Sequence, residues 1–293
     1  MSATRKWFFH GESIIGAAHI QVGADNEDAF FVHGDSNEGL CAVAVADGHG
    51  DERHARSAIG SRIAVEVASE LLDELASELD PTWSPHRLQR HISHSLSKRI
   101  LYTWNERVRK DAGHVDPDGS WDEMTIEYGT TLLLALVRDP FIVYWQIGDG
   151  DILALREDGH TQRIFSEADA DTWGSRTNSL CQKDAWVQAK LHCENIDDVG
   201  TCMIFLCTDG VSDSLNEGNL LGLPRWYYEQ IRGQGWNEVT ARLKADLEYI
   251  SKNGVGDDTT VAMAYRDVGP LSNAMDLHTE DLMERRELKT TEA

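Results

Sequence analysis

The stretch CAVAVADGHG, residues 41–50, is a run of apolar residues that ends on Asp47-Gly48. Apolar residues at successive positions, without polar alternation, describe a strand covered on both faces. The arrangement recurs twice: FIVYWQIGDG (141–150) runs into Asp149-Gly150, and CMIFLCTDG (202–210) runs into Asp209-Gly210. Asp257-Asp258 stands just before the strand-like TTVAMAY, and Glu27-Asp28 just before AFFVHG. A lone Asp-Gly pair is ordinarily a turn, the Asp bonding nearby backbone and the Gly supplying positive φ. Asp118-Gly119 and Asp158-Gly159 read that way. The other acids are delivered by buried strands to their ends, and adjacent strands would bring them to one edge. Carboxylates gathered at short range cannot all stay ionised unaided, and a divalent cation resolves that cost. Oxygen ligands without clustered His or Cys select Mg2+ or Mn2+ over zinc.

Outward from these strands the chain is organised in blocks. Residues before Asp47 read as short strands, KWFFHGES, IIGAAHIQVG, DAFFVHG and LCAVAVA, separated by Gly, Asp and Asn. Residues 51–79 switch to helical spacing, with Ala55, Ile59, Ile63, Val67, Leu71 and Leu75 four apart. Pro81 and Pro85 interrupt, and a second helix carries Leu88, Ile92, Leu96, Ile100, Trp104 and Val108 on one face. Its other face, with His86, Arg87, Arg90, His91, Lys98 and Arg99, reads as solvated. A polar loop over 111–125 leads to the strands TTLLLALV, FIVYWQIG and DILALRE, the last turning back at Asp158-Gly159. Residues 166–186 are irregular, and MIFLCTDG is the next strand. A helical region over about 220–252, with Val239, Leu243, Leu247 and Ile250 in register, precedes the final strand. Blocks of strands and helices do not fit βαβ alternation. They fit antiparallel sheets with helices packed outside, an α+β layered domain over 1–267 followed by a polar tail over 268–293.

With 293 residues, 41% of them hydrophobic, and nine Trp, the chain can bury a substantial core. Its 27 Lys and Arg against 50 Asp and Glu give a net charge of −23, which argues against a nucleic-acid binder. No run approaches the roughly 18 apolar residues of a membrane span. The N-terminal MSATRKWFFHGES has no apolar signal-peptide core, so the cytoplasm is the expected location. Cys41, Cys181, Cys193, Cys202 and Cys207 form no CxxC pair and read as reduced thiols, mostly buried. Cys193 beside His192 lacks the spaced partners zinc requires.

The ordered motifs resemble those of the metal-dependent type 2C protein phosphatases, the PPM family. DNEDAF at 25–30 resembles the family's first acidic motif, and ADGHGD at 46–51 its ADGHGG signature. YGTTLLLALV with IGDGD, TDGVSD at 208–213 and DDTT at 257–260 are similar to the remaining three, in the family's order. The resemblance covers roughly residues 7–267. It implies a central sandwich of two antiparallel β-sheets flanked by antiparallel helix pairs, four layers in αββα order. It further implies hydrolysis of phosphoserine or phosphothreonine by a metal-activated water, with two Mn2+ or Mg2+ ions and a place for a third. Asp47 would bridge the two ions, with the Gly48 carbonyl, Asp209 and Asp257 on the first. Glu27 would sit on the second, and Asp28 would order a water behind it. His49 would be the general acid that protonates the leaving oxygen. Asp149, Asp209 and Asp213 would hold the third ion, although for Asp213 a helix-cap or turn role is equally open. The implied partners are a phosphorylated protein and a cognate Ser/Thr kinase.

The sequence departs from the family pattern at three places. Gly23 occupies the position where many members carry an Arg that grips the substrate phosphate; His19 and Arg53 are the candidate substitutes. GDGD puts Asp151 where a base is common, either to tune the third ion or to start the next strand. Asp258 replaces an Asn and adds a carboxylate that would compete as a ligand. The missing Arg keeps open a second function, a weakly active or inactive phosphatase-like regulator that binds a phosphoprotein or a kinase.

Overall fold

The computed structural model describes residues 5–93, 95–113, 123–165 and 178–272. The strands are β1 (Phe8–Ile14), β2 (Ala29–Asp35), β3 (Leu40–Ala46), β4 (Leu132–Arg138), β5 (Phe141–Ile147), β6 (Asp151–Arg156), β7 (Thr161–Arg163), β8 (Lys190–Asn195), β9 (Thr201–Cys207) and β10 (Thr259–Tyr265). They form two antiparallel five-stranded sheets, ordered β1-β10-β9-β6-β7 and β2-β3-β4-β5-β8. The helices are α1 (Ala17–Val22), α2 (Ser57–Glu78), α3 (Pro85–Ile92), α4 (Ser95–Asp111), α5 (Ala185–Gln188), α6 (Ile196–Val199), α7 (Asp209–Ser212), α8 (Glu217–Gln234) and α9 (Trp236–Asn253). Among the described residues no helix is long and apolar enough to cross a membrane.

The two sheets face each other across Cys41, Val43, Val45, Leu133, Ala135 and Ile142 from one and Ile152, Ala154, Ile204, Leu206, Ala262 and Ala264 from the other. The reverse face of β3 presents Ala42, Ala44 and Ala46 to α2, whose Ala64, Val67, Ala68, Leu71 and Leu72 are buried against that sheet. On the far side, α8 and α9 cover the β9 and β10 face with Leu223, Tyr227, Leu243 and Leu247. The architecture is therefore the expected four-layer αββα sandwich. Central strands buried on both faces explain the unbroken apolar runs, and each fully buried Leu or Val contributes about 1.5–3 kcal/mol.

Five elements differ from the sequence reading. IIGAAHIQVG is not a strand: Ile14 ends β1, and α1 follows, bounded by Gly16 and by Gly23 at φ 71°. None of its residues is buried, and Ile20 and Val22 are exposed, so its apolar content carries no strand signal. The helix expected from residue 51 starts at Ser57, leaving Ala55 exposed beyond a short 3-10 turn at Glu52–His54. The second helix divides into α3 and α4 after Ile92, and the final helical region into α8 and α9 at Gly235, where φ is 96°. The strand β8, KLHCEN, is too polar to stand out; it is an edge strand in which Cys193 and Glu194 are buried and the other four residues half-buried. The Asp118-Gly119 turn, most of the loop over 111–125, residues 166–177 and most of the tail lie outside the described residues. Before them, Val268 and Leu271 pack against the α8–α9 layer. All five cysteines are free and buried.

Candidate functional site

Strand register brings the acids to one rim of the sandwich. Ala29 pairs with Ala46, so Asp28 and Asp47 are neighbours beyond one end of the β2–β3 ladder. In the facing sheet, Cys207 pairs with Val261 on one side and with Asp151 on the other, which puts Asp209 beside the start of β10, where Asp257 and Asp258 stand. A cleft of about 700 Å³ opens on this rim, and Glu27, Asp47, Gly48, His49, Asp209 and Asp257 all line it.

Each acid has a defined anchor. The Asp47 N–H donates to Thr131 Oγ1 at 3.0 Å, and its carbonyl accepts from the Thr131 N–H and the Thr130 hydroxyl, both at 2.8 Å. Ser57, at the start of α2, donates to Glu27 Oε1 at 2.5 Å, and Ser61 donates to the Glu27 carbonyl at 2.6 Å. Asp28 is buried behind the cleft and accepts from Thr208 Oγ1 at 2.8 Å. Gly48 allows close backbone approach: a Cβ there would meet the Glu27 carbonyl at 2.7 Å and Ser57 Cβ at 2.9 Å. His49 stacks edge-on against His54 with ring centroids 4.9 Å apart, and His54 is itself held through Nδ1 by the Ile126 carbonyl.

The departures from the family pattern each have a structural account. Asp258 is buried, and its two oxygens are occupied: Oδ1 accepts from the Gly16 N–H at 2.6 Å and lies 2.9 Å from His19 Nδ1, while Oδ2 accepts from the Glu27 N–H at 2.7 Å. It clamps α1 and the β2 approach to β10 while still lining the cleft, so its oxygens are engaged by two backbone N–H groups at the point where it would compete as a ligand. His19 belongs to α1, not to a strand, and its Nε2 lies 3.5 Å from Asp257 Oδ1. Gly23 closes α1 in the left-handed region, a conformation in which a side chain is strained, so an Arg at this point would carry a backbone cost. Arg53 lines the cleft with its guanidinium paired to Asp51 at 2.7 Å. Asp151 begins β6 and pairs with Arg163 at 2.6 Å. Asp149 is exposed at the end of β5, electrostatically coupled to Asp47 and Asp209. Asp213 is exposed at the C-terminal end of α7, its N–H bonded to the Asp209 carbonyl at 2.7 Å.

The electrostatics tests whether hard cations suit this rim. Burial pushes the carboxyls of Asp28 and Asp47 well above the usual carboxylate range, and repulsion from neighbouring acids adds to it: Asp258 and Asp209 for Asp28, Asp28 and Asp209 for Asp47. Asp209 and Glu27 are raised for the same two reasons, with the Ser57 hydroxyl opposing the shift at Glu27. Among the described residues, no Lys or Arg pairs with Glu27, Asp28, Asp47, Asp209 or Asp257, and His19 is the one basic group against Asp257. Like charges held this way in a half-buried cleft, with oxygen donors predominating, fit Mg2+ or Mn2+. His49 is displaced the other way, since burial first and the neighbouring His54 second disfavour its charged form. His19, Asp257 and Asp258 have ligand atoms all within 4.8 Å of one another.

Comparison with known proteins agrees with the fold. No curated protein matches the chain in sequence. Among solved structures, the serine/threonine phosphatase Stp1 from Staphylococcus aureus is 16% identical, covering 91% of this chain and 98% of its own, with a TM-score of 0.57. PppA, a regulatory component of the T6SS in Pseudomonas aeruginosa, is 20% identical over 90% of this chain and 99% of its own, with a TM-score of 0.55. The catalytic domain of the phosphatase PstP, in complex with two manganese ions, is 20% identical over 89% and 99%, also at 0.55. These likenesses establish a shared fold. The sequence profile of the protein phosphatase 2C family matches residues 15–248, most of the chain, and the protein belongs to that family.

Proposed function

We propose that the protein is a metal-dependent phosphatase acting on phosphoserine or phosphothreonine in proteins. The observation that carries this reading is the convergence of Glu27, Asp47, Asp209 and Asp257 with His49 on one cleft, with Asp28 behind them. Asp47, Asp209, Asp257 and the Gly48 carbonyl would hold one Mn2+ or Mg2+, and Glu27 with Asp47 a second, while Asp28 would order a water behind them. When bound, the two cations neutralise the phosphate and activate water for attack on phosphorus. Phosphoryl transfer then asks the chain mainly for positioning and charge placement, which anchored carboxylates supply without a nucleophilic side chain. His49, poised edge-on to His54 at the mouth of the Asp47 loop, gives its proton to the leaving seryl or threonyl oxygen. Asp149 and Asp213 flank Asp209 as the outer carboxylates of a third, weaker site. The setting that goes with this reading is cytoplasmic, opposite a Ser/Thr kinase.

Gly23 supports a second reading, a phosphatase-like regulator with little turnover, because no side chain there can grip phosphate. His19 and Arg53 both line the cleft and are the basic groups available for that task. The purified chain with Mn2+ is expected to hydrolyse a phosphothreonine peptide, to lose activity with chelator, and to lose at least about 100-fold in kcat in Asp209→Asn. Wild type no more active than Asp209→Asn across metals and phosphopeptides would leave the regulatory reading standing.

A further inference from the structure

Residues 81–110 hold seven Lys and Arg against a single acid, Glu106, in a chain with 27 basic and 50 acidic side chains. Part of this charge is spoken for: Arg99 pairs with Glu74, Arg107 with Glu66 and Glu70, and Arg109 is buried. Arg87, Arg90 and Lys98 are different. All three are exposed, and among the described residues none forms an ion pair with a carboxylate within 4 Å, although Arg87 acts at longer range on Asp80. Arg87 and Arg90 share the solvent face of α3, opposite the buried Leu88 and Ile92. Two of the cations rest on indole rings, Arg87 over Trp83 at 4.9 Å and Lys98 over Trp186 at 4.5 Å. A cation–π contact orders a side chain without neutralising its charge.

The position of Trp186 connects this face to the cleft. It lies on α5, which packs against α4, only four residues beyond Gln182, and Gln182 lines the cleft together with Ser179 and Cys181. Residues 182–186 are turned and then helical, so Gln182 and Trp186 are separated by less than the roughly 13 Å of an extended chain, and a bound polypeptide could reach from the cleft to Lys98, the near end of the basic face, within about four to six residues. We propose that Arg87, Arg90 and Lys98 form a docking surface for an acidic segment of the phosphoprotein substrate, close in sequence to its phosphorylated residue. This rests on the phosphatase reading above. Charge complementarity selects the occupant: a chain of net charge −23 disfavours an acidic segment in general, and this basic face offsets that repulsion, which favours entry of the substrate from this side. The same overall charge disfavours a long polyanion or an anionic membrane, which would meet the acidic remainder as well.

The test uses the full chain and the charge-reversed variant Arg87→Glu/Arg90→Glu/Lys98→Glu, with its fold checked by circular dichroism and Tm. Substrates are an aryl phosphate, a neutral phosphothreonine peptide, and the same peptide extended by a Glu-rich segment about five residues from the phosphothreonine. Wild type is expected to show a lower KM for the acidic peptide than for the neutral one. The variant should raise that KM about tenfold with kcat unchanged and with no change on the other two substrates, and added salt should shrink the difference. A labelled, unphosphorylated form of the Glu-rich peptide, followed by fluorescence anisotropy, reads docking without turnover. Equal KM for the two peptides in wild type, or equal peptide binding by wild type and variant, overturns the proposal. So does a variant whose one loss is binding to RNA or to anionic vesicles. If no substrate is turned over yet the labelled peptide binds wild type and not the variant, the phosphatase reading fails and the docking surface stands.

Discussion

The backbone at Asp47 is held from both sides by Thr130 and Thr131, and Gly48 presses against the Glu27 carbonyl. The peptide that follows therefore has little freedom, and His49 inherits a fixed origin, its N–H bonded to the Gly129 carbonyl at 3.1 Å. Its ring then meets His54, which burial and the Ile126 carbonyl hold in place. A group set this firmly suits directed proton donation, whose value depends on the leaving group. His49→Ala is expected to lower kcat on phosphothreonine peptides about 100-fold but on a nitrophenyl phosphate less than about 10-fold, since a good leaving group needs little protonation. Steady-state kinetics on the two substrates decides it, and equal losses on both would remove the general-acid role.

Helix α1 illustrates how an element can be defined by its partners more than by its own sequence. It buries none of its residues, and the N–H groups of its cap Gly16 and of its first two residues, Ala17 and Ala18, are accepted by Asp258 Oδ1, by Ser251 Oγ at 2.9 Å and by the Gly256 carbonyl at 2.8 Å. Asp258→Ala would orphan the Gly16 and Glu27 N–H groups together, costing about 3 kcal/mol, and a urea midpoint lowered accordingly checks it. No reading of IIGAAHIQVG alone would find a partner more than 230 positions away, which is why the sequence suggests a strand there. β3, β5 and β9 were legible because strands buried on both faces leave unbroken apolar runs, and α2 because its buried positions recur every three to four residues. β8 was not, because an edge strand such as KLHCEN needs few apolar residues. The site was legible in the residue types at strand ends; the occupation of Asp258 by two backbone N–H groups, and of Asp151 by Arg163, depends on tertiary geometry.

At the scale of the molecule, the two sheets are tied by an apolar interior and by buried polar contacts, among them a cluster around Glu194. Arg156 of one sheet donates to both Glu194 oxygens of the other, at 2.6 and 3.0 Å, and Tyr144 and Thr201 add hydroxyl bonds to Glu194 at 2.8 Å each. Burial pushes the Glu194 carboxyl up, but these donors, with His192, more than offset it and hold it at about 2. A carboxyl depressed in the folded state adds stability that is full above its unfolded pKa, near 4.5, and is lost as pH falls from there to about 2. Glu194→Gln is expected to cost about 3 kcal/mol at pH 7, leaving Arg156 buried without a counter-charge, and to flatten the decline of stability across that acid window. Urea unfolding at a series of pH values measures both.

The same two-sheet construction gives the rim of acids a further property. Glu27, Asp28 and Asp47 ride on one sheet, Asp209 and Asp257 on the other, so neither sheet alone holds the set. Sliding one sheet against its mate by a single residue, roughly 3.3 Å, would part Asp47 from Asp209 while leaving every strand, helix and hydrogen-bonded ladder intact. The rim thus behaves as a vernier that reads sheet alignment, and its tolerance is set by how Val43, Val45, Leu133 and Leu206 interlock in the interior, out of reach of any substrate.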